Sequence, residues 1–295
     1  MKEPIAYNSG NIRSINETKA SIEIGAPIGI TVHSQQSIIE LAMGYAFVGG
    51  KVFVDNGAFT EYSKGTNLDI ETLSGRCYWD SVFAVYREIA SIPYGADNLV
   101  FVAPDQVGNP DVTLKNLEWL MYEVHEIRST GAQIIQPIQK GKKPDYDISV
   151  HIADLSNWYY DFENTILGFP SKREAWHVSE VLDYLMYKTL WEKRLSTTEP
   201  VWCIHPDLKI HFLGIGDPLR LSKIQKYIDK IRPNVFVSGD SVPTGGIVGK
   251  GRKLTETMNS YLKLHPNLTR EERGELRCKI LSGIEWTKRQ QHTLA

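Results

Sequence analysis

Short apolar runs recur along this chain, each bounded by turn-forming residues and five of them carrying an acid or an amide at or just beyond the end. Residues 26–32, 51–55, 99–103, 133–138, 165–168, 209–213 and 234–240 share this pattern, which is that of strands buried on both faces of a parallel sheet. Between them the apolar spacing changes to three and four. Residues 36–47 carry Ile38, Ile39, Leu41, Ala42 and Tyr45 on one side, and 111–130 carry Leu114, Leu117, Met121, Val124 and Ile127 before a stop at Gly131. Residues 219–231 keep Leu221, Ile224, Ile228 and Ile231 on one face. This is helical periodicity. Further helices are expected over 73–92, closed by Pro93, over 154–162, over 173–194, and near 256–264 and 269–291. The first 25 residues read as a polar arm, and Ile247 and Val248 as the start of a short eighth strand.

Strands alternating with amphipathic helices imply parallel βαβ units with right-handed crossovers. Seven strands and a short eighth suit a closed (β/α)8 TIM-like barrel of the α/β class; the same pattern also fits an open doubly wound sheet. The chain shows no fixed-period repeat, low-complexity tract or Pro-rich linker, so one domain over 1–295 is expected, with the barrel at about 26–250 and a helical extension at about 251–295.

Barrel chemistry sits at the C-terminal strand ends, which directs attention to Asp55, Asp105, Gln139, Gly168, Gly214, Gly216 and Asp240. Carboxylates gathered at one mouth cannot all ionise alike, so one can attack while another moves a proton. Asp240, within SGDS, has neighbours small enough to admit a substrate and is the candidate nucleophile. Any single acid at a strand end also serves as a cap for the following helix. Gly214 and Gly216 either offer backbone N–H groups to a phosphate or let a flat ligand lie against the backbone; neither GxGxxG nor GxxxxGK[ST] occurs. His33, His205 and His211 lack metal-ligand spacing and read as core or surface histidines. Phe59, Tyr62 and Phe169 lie near loop mouths, where they either stack on a base or pack.

With 42% hydrophobic and 23% charged residues the composition is that of a soluble globular protein. No apolar run is long enough to span a membrane and the start lacks a secretory core, so the expected location is cytoplasmic, with no membrane partner. Cys77, Cys203 and Cys278 form no disulfide or metal pattern and are expected as buried small hydrophobes. The net charge of −2 argues against a chain built mainly to coat nucleic acid. Yet residues 250–295 hold ten Lys or Arg against five Asp or Glu, +5, leaving −7 for the remainder. That asymmetry is either a phosphate-facing surface or a solvated helix face.

Taken in order, the motifs resemble those of the tRNA-guanine transglycosylases and their relatives, the 7-deazaguanine DNA transglycosylases. VDNGAF (54–59) is similar to the family's DSGGF, PIQKG (137–141) to its VQG, HFLGIGDP (211–218) to its LMGVGTP, and FVSGDSVPT (236–244) to its FDCVMPT. The resemblance implies Asp240 as nucleophile, Asp55 as the proton-handling aspartate, and Asp105 in VAPDQV as the reader of a guanine-type base. It also implies Gln139, Gly141, Gly168, Phe169, Gly214, Gly216 and Phe59 as base-binding positions. The chain leaves the family's pattern at two points: the C-terminal zinc cluster of cysteines and histidine is absent, and Gly245 stands where the tRNA enzymes keep an arginine.

The resemblance therefore implies a base-exchange pentosyltransferase without metal or cofactor. It would replace guanine in DNA, or alternatively in tRNA, by a 7-deazaguanine-type base. Lys140, Lys142, Lys143, Lys250, Arg252 and Lys253 would hold flanking phosphates. Partner proteins or a homodimer remain open. The competing expectations are a barrel lyase or isomerase acting on a small metabolite, and a catalytically silent nucleic-acid-binding relative.

Overall fold

A computed structural model describes residues 4–9, 15–23, 25–140, 165–171, 176–181, 191–193, 201–203, 208–215, 218–231 and 235–241. In chain order the elements are β1 (Ile5–Asn8), α1 (Ile15–Glu23), β2 (Ile28–Thr31), α2 (Gln36–Phe47), β3 (Val52–Asp55), α3 (Ala58–Ser63) and α4 (Leu73–Ala90). Then come β4 (Leu99–Val102), α5 (Pro110–Trp119), α6 (Met121–Ser129), β5 (Gln133–Pro137) and β6 (Thr165–Pro170). The chain continues through β7 (Trp191–Lys193), β8 (Val201–Cys203), β9 (Lys209–Leu213), α7 (Pro218–Ile231) and β10 (Phe236–Ser241).

Eight of these strands close a parallel barrel in the order β1-β10-β9-β6-β5-β4-β3-β2, the (β/α)8 arrangement expected from the sequence. Seven strands occupy the expected places. The first does not: β1 arises within the expected N-terminal arm, and with α1 it replaces a structureless start. It pairs with β10 from Ile5↔Ser238 to Asn8↔Ser241 and meets β2 at Asn8↔Ile28. A four-residue strand, IAYN, has too few apolar positions to register as a pattern, although Tyr7 is buried in the barrel. The barrel thus begins at Ile5, well before residue 26. The expected strand at 247–248, the helices at 154–162, 256–264 and 269–291, and the extension at 251–295 lie outside the described residues.

Two apolar layers hold the barrel. Tyr7, Phe53, Val100, Val102, Ile135 and Ile166 fill its interior, with Ile5 and Leu213 packed on them. Residues alternating with these along the strands, such as Val52 and Val54, join Trp79, Phe83 and Ile89 of α4 in the outer layer between strands and helices. Strand side chains alternate sides, so Asp55 shares the inward side of Phe53, and His211 that of Leu213. Helix α4 is seated by polar pins as well: Trp79 Nε1 donates to Leu68 O at 2.8 Å and Tyr86 Oη to Val102 O at 2.8 Å.

Three expectations need correction. The single helix expected over 111–130 is two, α5 and α6, meeting at Leu120, beside Asn116, whose buried amide bonds Ile70 N at 2.9 Å and Leu68 O at 3.0 Å. The helix expected to reach 194 has ended by Trp191, where β7 pairs antiparallel with β8. Cys77 is exposed on α4, on the side opposite Trp79's buried face, rather than packed as a small hydrophobe. No described helix is long and apolar enough to cross a membrane.

Candidate active site

Asp240 sits at the C-terminal end of β10, in register with Tyr7 on β1 and Leu213 on β9. Three donors hold its carboxylate. Oδ1 accepts from Gly214 N at 2.9 Å and faces His211 Nε2 at 3.2 Å; Oδ2 accepts from Ser9 Oγ at 3.0 Å. Gly214 reaches this position because its φ of +94° is open to glycine and strained for other residues. Below Asp240, His211 Nδ1 lies 2.9 Å from Ser238 Oγ, and the imidazole stacks on Phe53 at 5.2 Å and 10°. Burial on its own would raise the Asp240 pKa; the hydrogen bond and attraction of His211, then Gly214 N–H and Ser9 Oγ, more than offset this and hold the carboxyl below its ordinary range. The side chain of Asp240 keeps 16% exposure against 0% for His211, so the acid faces the mouth and the histidine its floor.

Asp55 ends β3 on the same inward side, level with Thr31 on β2. Strands β2 and β1 separate it from β10, three strand spacings or about 14 Å along the wall. Its Oδ1 accepts from Gly57 N at 3.3 Å. Gly57, with φ +80°, turns the chain into α3, and a Cβ there would lie 2.7 Å from His33 Nε2. His33 and Tyr78 lean together with ring centroids 6.1 Å apart, and Tyr78 Oη donates to Asn56 O. Burial, then the charges of Asp55, Asp105 and Glu61, push the Tyr78 phenol well above its ordinary range, so it stays protonated as a donor.

Asp105 lies beyond β4 within a buried amide network. Asn56 Nδ2 donates to its Oδ1 at 2.8 Å and Gln139 Nε2 to its Oδ2 at 2.6 Å. Asn56 also donates to Ala103 O at 2.9 Å and accepts from Ala58 N at 2.9 Å, while Gln139 Oε1 accepts from Gly108 N at 3.0 Å. Burial pushes the Asp105 pKa up to about 6, against the opposing bonds from Asn56 and Gln139. The loops after β3, β4 and β5 are thereby tied together behind the mouth, and Asp105 and Gln139 are each other's partners there.

The other expected site residues divide. Phe59 and Tyr62 on α3 are exposed with ring centroids 6.5 Å apart, near the end of β3. Phe169 is instead fully buried in the outer layer against Trp176 and Phe212, because its neighbours Gly168 and Pro170 take the inward side of β6. Gly168 is a packing position: a Cβ there would stand 2.5 Å from Ile135 Cγ2. Gly214 serves the Asp240 carboxylate. Lys140 is bound to Glu180 at 2.7 and 2.8 Å and lies over the Trp176 ring, so its charge is already matched. Gly141, Gly216, Lys142, Lys143, Lys250, Arg252 and Lys253 lie outside the described residues, as does His205.

Ser9, His211, Ser238 and Asn56 were not expected as site residues. For two of them a signal exists. In KIHFL the polar His211 stands between two apolar neighbours, and in FVSGDS Ser238 lies two residues before Asp240, so the strand period of two puts Ser238 on the side of Asp240. Ser9 carries no such signal, since its strand is itself unmarked.

No protein-family model matches this sequence, and comparison with curated proteins gives no match. Among solved structures, a β-mannanase of Thermomonospora fusca in complex with mannotriose is similar, with a TM-score of 0.45 and 11% identity over 81% of this chain and 78% of that one.

Proposed function

We propose that the protein is a base-exchange transglycosylase that replaces guanine in DNA by a 7-deazaguanine derivative through a covalent aspartyl-sugar intermediate. The observation that carries this reading is the Asp240 carboxylate. It is held ionised by three donors at the open end of the barrel, and among the described residues Oδ2 keeps one unfilled acceptor site. The ordered motifs around Asp55, Asp105, Gln139, Gly168 and Gly214 support it from the sequence side. The preference for DNA over tRNA rests on the missing zinc cluster and on Gly245.

In this reading Oδ2 attacks the anomeric carbon as the bond to guanine breaks, and the departing base takes the electron pair and is protonated from the Asp55 side. The deazaguanine then gives up a proton to Asp55 and attacks the same carbon, and the ester electron pair returns to Asp240. Guanine within a duplex is out of reach of this mouth, so the target nucleotide is flipped out or single-stranded. The exposed Phe59 and Tyr62 rings are suited to stack on a displaced base.

Incubation with guanine-containing DNA or tRNA and labelled guanine tests the proposal. Label is expected in DNA, lost with Asp240→Asn. Label confined to tRNA supports the tRNA reading, and none in either polymer, beside active controls, overturns base exchange. A small-metabolite enzyme gives neither a covalent adduct nor salt-sensitive polymer binding.

A further inference from the structure

We propose that His211 is a positioning residue that, with the Gly214 N–H, fixes which oxygen of Asp240 reacts and keeps the resulting sugar ester short-lived. The inference rests on the base-exchange reading for its reaction arm. A carboxylate oxygen offers about two acceptor sites. Those of Oδ1 are both taken, by Gly214 N at 2.9 Å and His211 Nε2 at 3.2 Å, whereas among the described residues Oδ2 has Ser9 Oγ alone. Oδ2 is therefore the oxygen free to form the bond to carbon.

The ring of His211 cannot turn away from this task. It is fully buried, lies flat on Phe53, leans on Tyr7 with ring centroids 6.1 Å apart, and is held at Nδ1 by Ser238 Oγ, which is also 3.3 Å from Ile210 O. A carboxylate is an acceptor only, so the nitrogen facing Asp240 carries a hydrogen.

The consequence follows from charge. A donor bonds a carboxylate more strongly than the carbonyl of an ester, because the charge is gone in the ester. Donors fixed on Oδ1 thus favour the free carboxylate over the adduct. In the forward step the Oδ2 lone pair becomes the C–O bond as the C–N bond to guanine breaks. In the return step a new C–N bond forms and the C–O pair goes back to Oδ2, with its charge shared onto Oδ1. The donors on Oδ1 lower the barrier to that return and so make Asp240 a good leaving group. Without His211 the carboxylate is more basic, and the ester it forms is released more slowly.

The test uses the full chain and two readouts. His211→Phe keeps a ring against Phe53 and Tyr7 but removes the donor; His211→Gln keeps an N–H at similar reach. Without substrate, the Asp240 carboxyl carbon is titrated by 13C NMR. An upward move of the Asp240 titration is expected in His211→Phe, largely reversed in His211→Gln. With a guanine-containing DNA strand, acid-quenched protein is weighed intact. The adduct fraction is expected to rise about tenfold in His211→Phe, and exchange to slow by about tenfold or more, both near wild type in His211→Gln.

If His211→Phe does not fold, His211→Asn, too short to reach Oδ1, carries the same expectations. An unmoved titration in a folded donor-less variant overturns the proposal, as does unchanged adduct and exchange. A wild-type protein with neither adduct nor exchange defeats base exchange instead, and the titration still decides the role of His211.

Discussion

Oδ1 of Asp240 lies 3.2 Å from Nε2 of His211 on the neighbouring strand, and the same oxygen takes the backbone N–H of Gly214 just beyond that strand. The end of β10 is thus tied to β9 through a side chain as well as through the backbone ladder. Phe53 presses on the far face of the imidazole from β3, across the barrel interior. Three strands therefore fix the direction of one carboxylate.

Gly214→Ala tests how far that direction depends on a single backbone angle. At φ +94° an added Cβ is strained by about 1–2 kcal/mol, and relief by rotation turns the N–H away from Asp240. Denaturant unfolding is expected to show a loss of that size, together with an upward move of the Asp240 titration. Unaltered stability and titration would mean that the loop carries the N–H elsewhere.

Asp105 gives a pH dependence with a definite sign. Its folded pKa, raised by burial to about 6, exceeds the ordinary 3.8, so between these values the folded state binds more protons than the unfolded one. Stability from this group is present below about pH 4 and is lost as pH rises through 6, at a slope of up to about 1.4 kcal/mol per pH unit. Asp105→Asn removes that slope. It also sets an amide N–H against Asn56 or Gln139, both already donating, at a cost of about 1–3 kcal/mol at neutral pH. Urea midpoints measured from pH 4 to 7 check both statements.

Much of this arrangement was legible in the sequence, for a physical reason. A barrel strand buried on both faces is an apolar run, and seven of the eight could be read as such. The acids that end them, Asp55 and Asp240, lie where the pattern implied. Asp105 and Gln139 were legible as polar residues at strand ends but not as partners, because their hydrogen bond joins loops after different strands. Gly214 was legible as a special glycine, yet only the turn itself shows that its N–H serves Asp240 rather than a ligand. Phe169 misled because GFP stands at a strand end, while the pleat turns the ring outward into the packed layer.

Gly168 offers a test of packing on the inward side of β6. Alanine there meets Ile135 Cγ2 at 2.5 Å, and Ile135 is itself fully buried. Overpacking of this kind costs about 1–3 kcal/mol. Gly168→Ala is expected to lower the unfolding free energy by that amount, and Ile135→Ala in the same chain to cost less than it does alone, since the cavity accepts the new methyl. A double-mutant cycle with additive effects would show that the two positions do not meet.

The strand with the weakest sequence signal is expected to have the largest effect when removed. β1 fills the gap between β10 and β2, pairing with β10 at four positions, and the residue after it, Ser9, is the donor to Oδ2 of Asp240. Deleting residues 1–9 leaves the facing edges of β10 and β2 unpaired, and such edges associate with other chains. It also removes Tyr7 from the interior, where it packs on Phe53 at 5.8 Å. The truncated chain is expected to lose cooperative unfolding and to elute as aggregates in size exclusion. Addition of a synthetic peptide of residues 1–12 should restore monomer and a thermal transition, because the gap has the width of one strand. A truncated chain that stays monomeric, unfolds cooperatively and ignores the peptide would mean that the barrel closes without β1, by drawing β10 and β2 together.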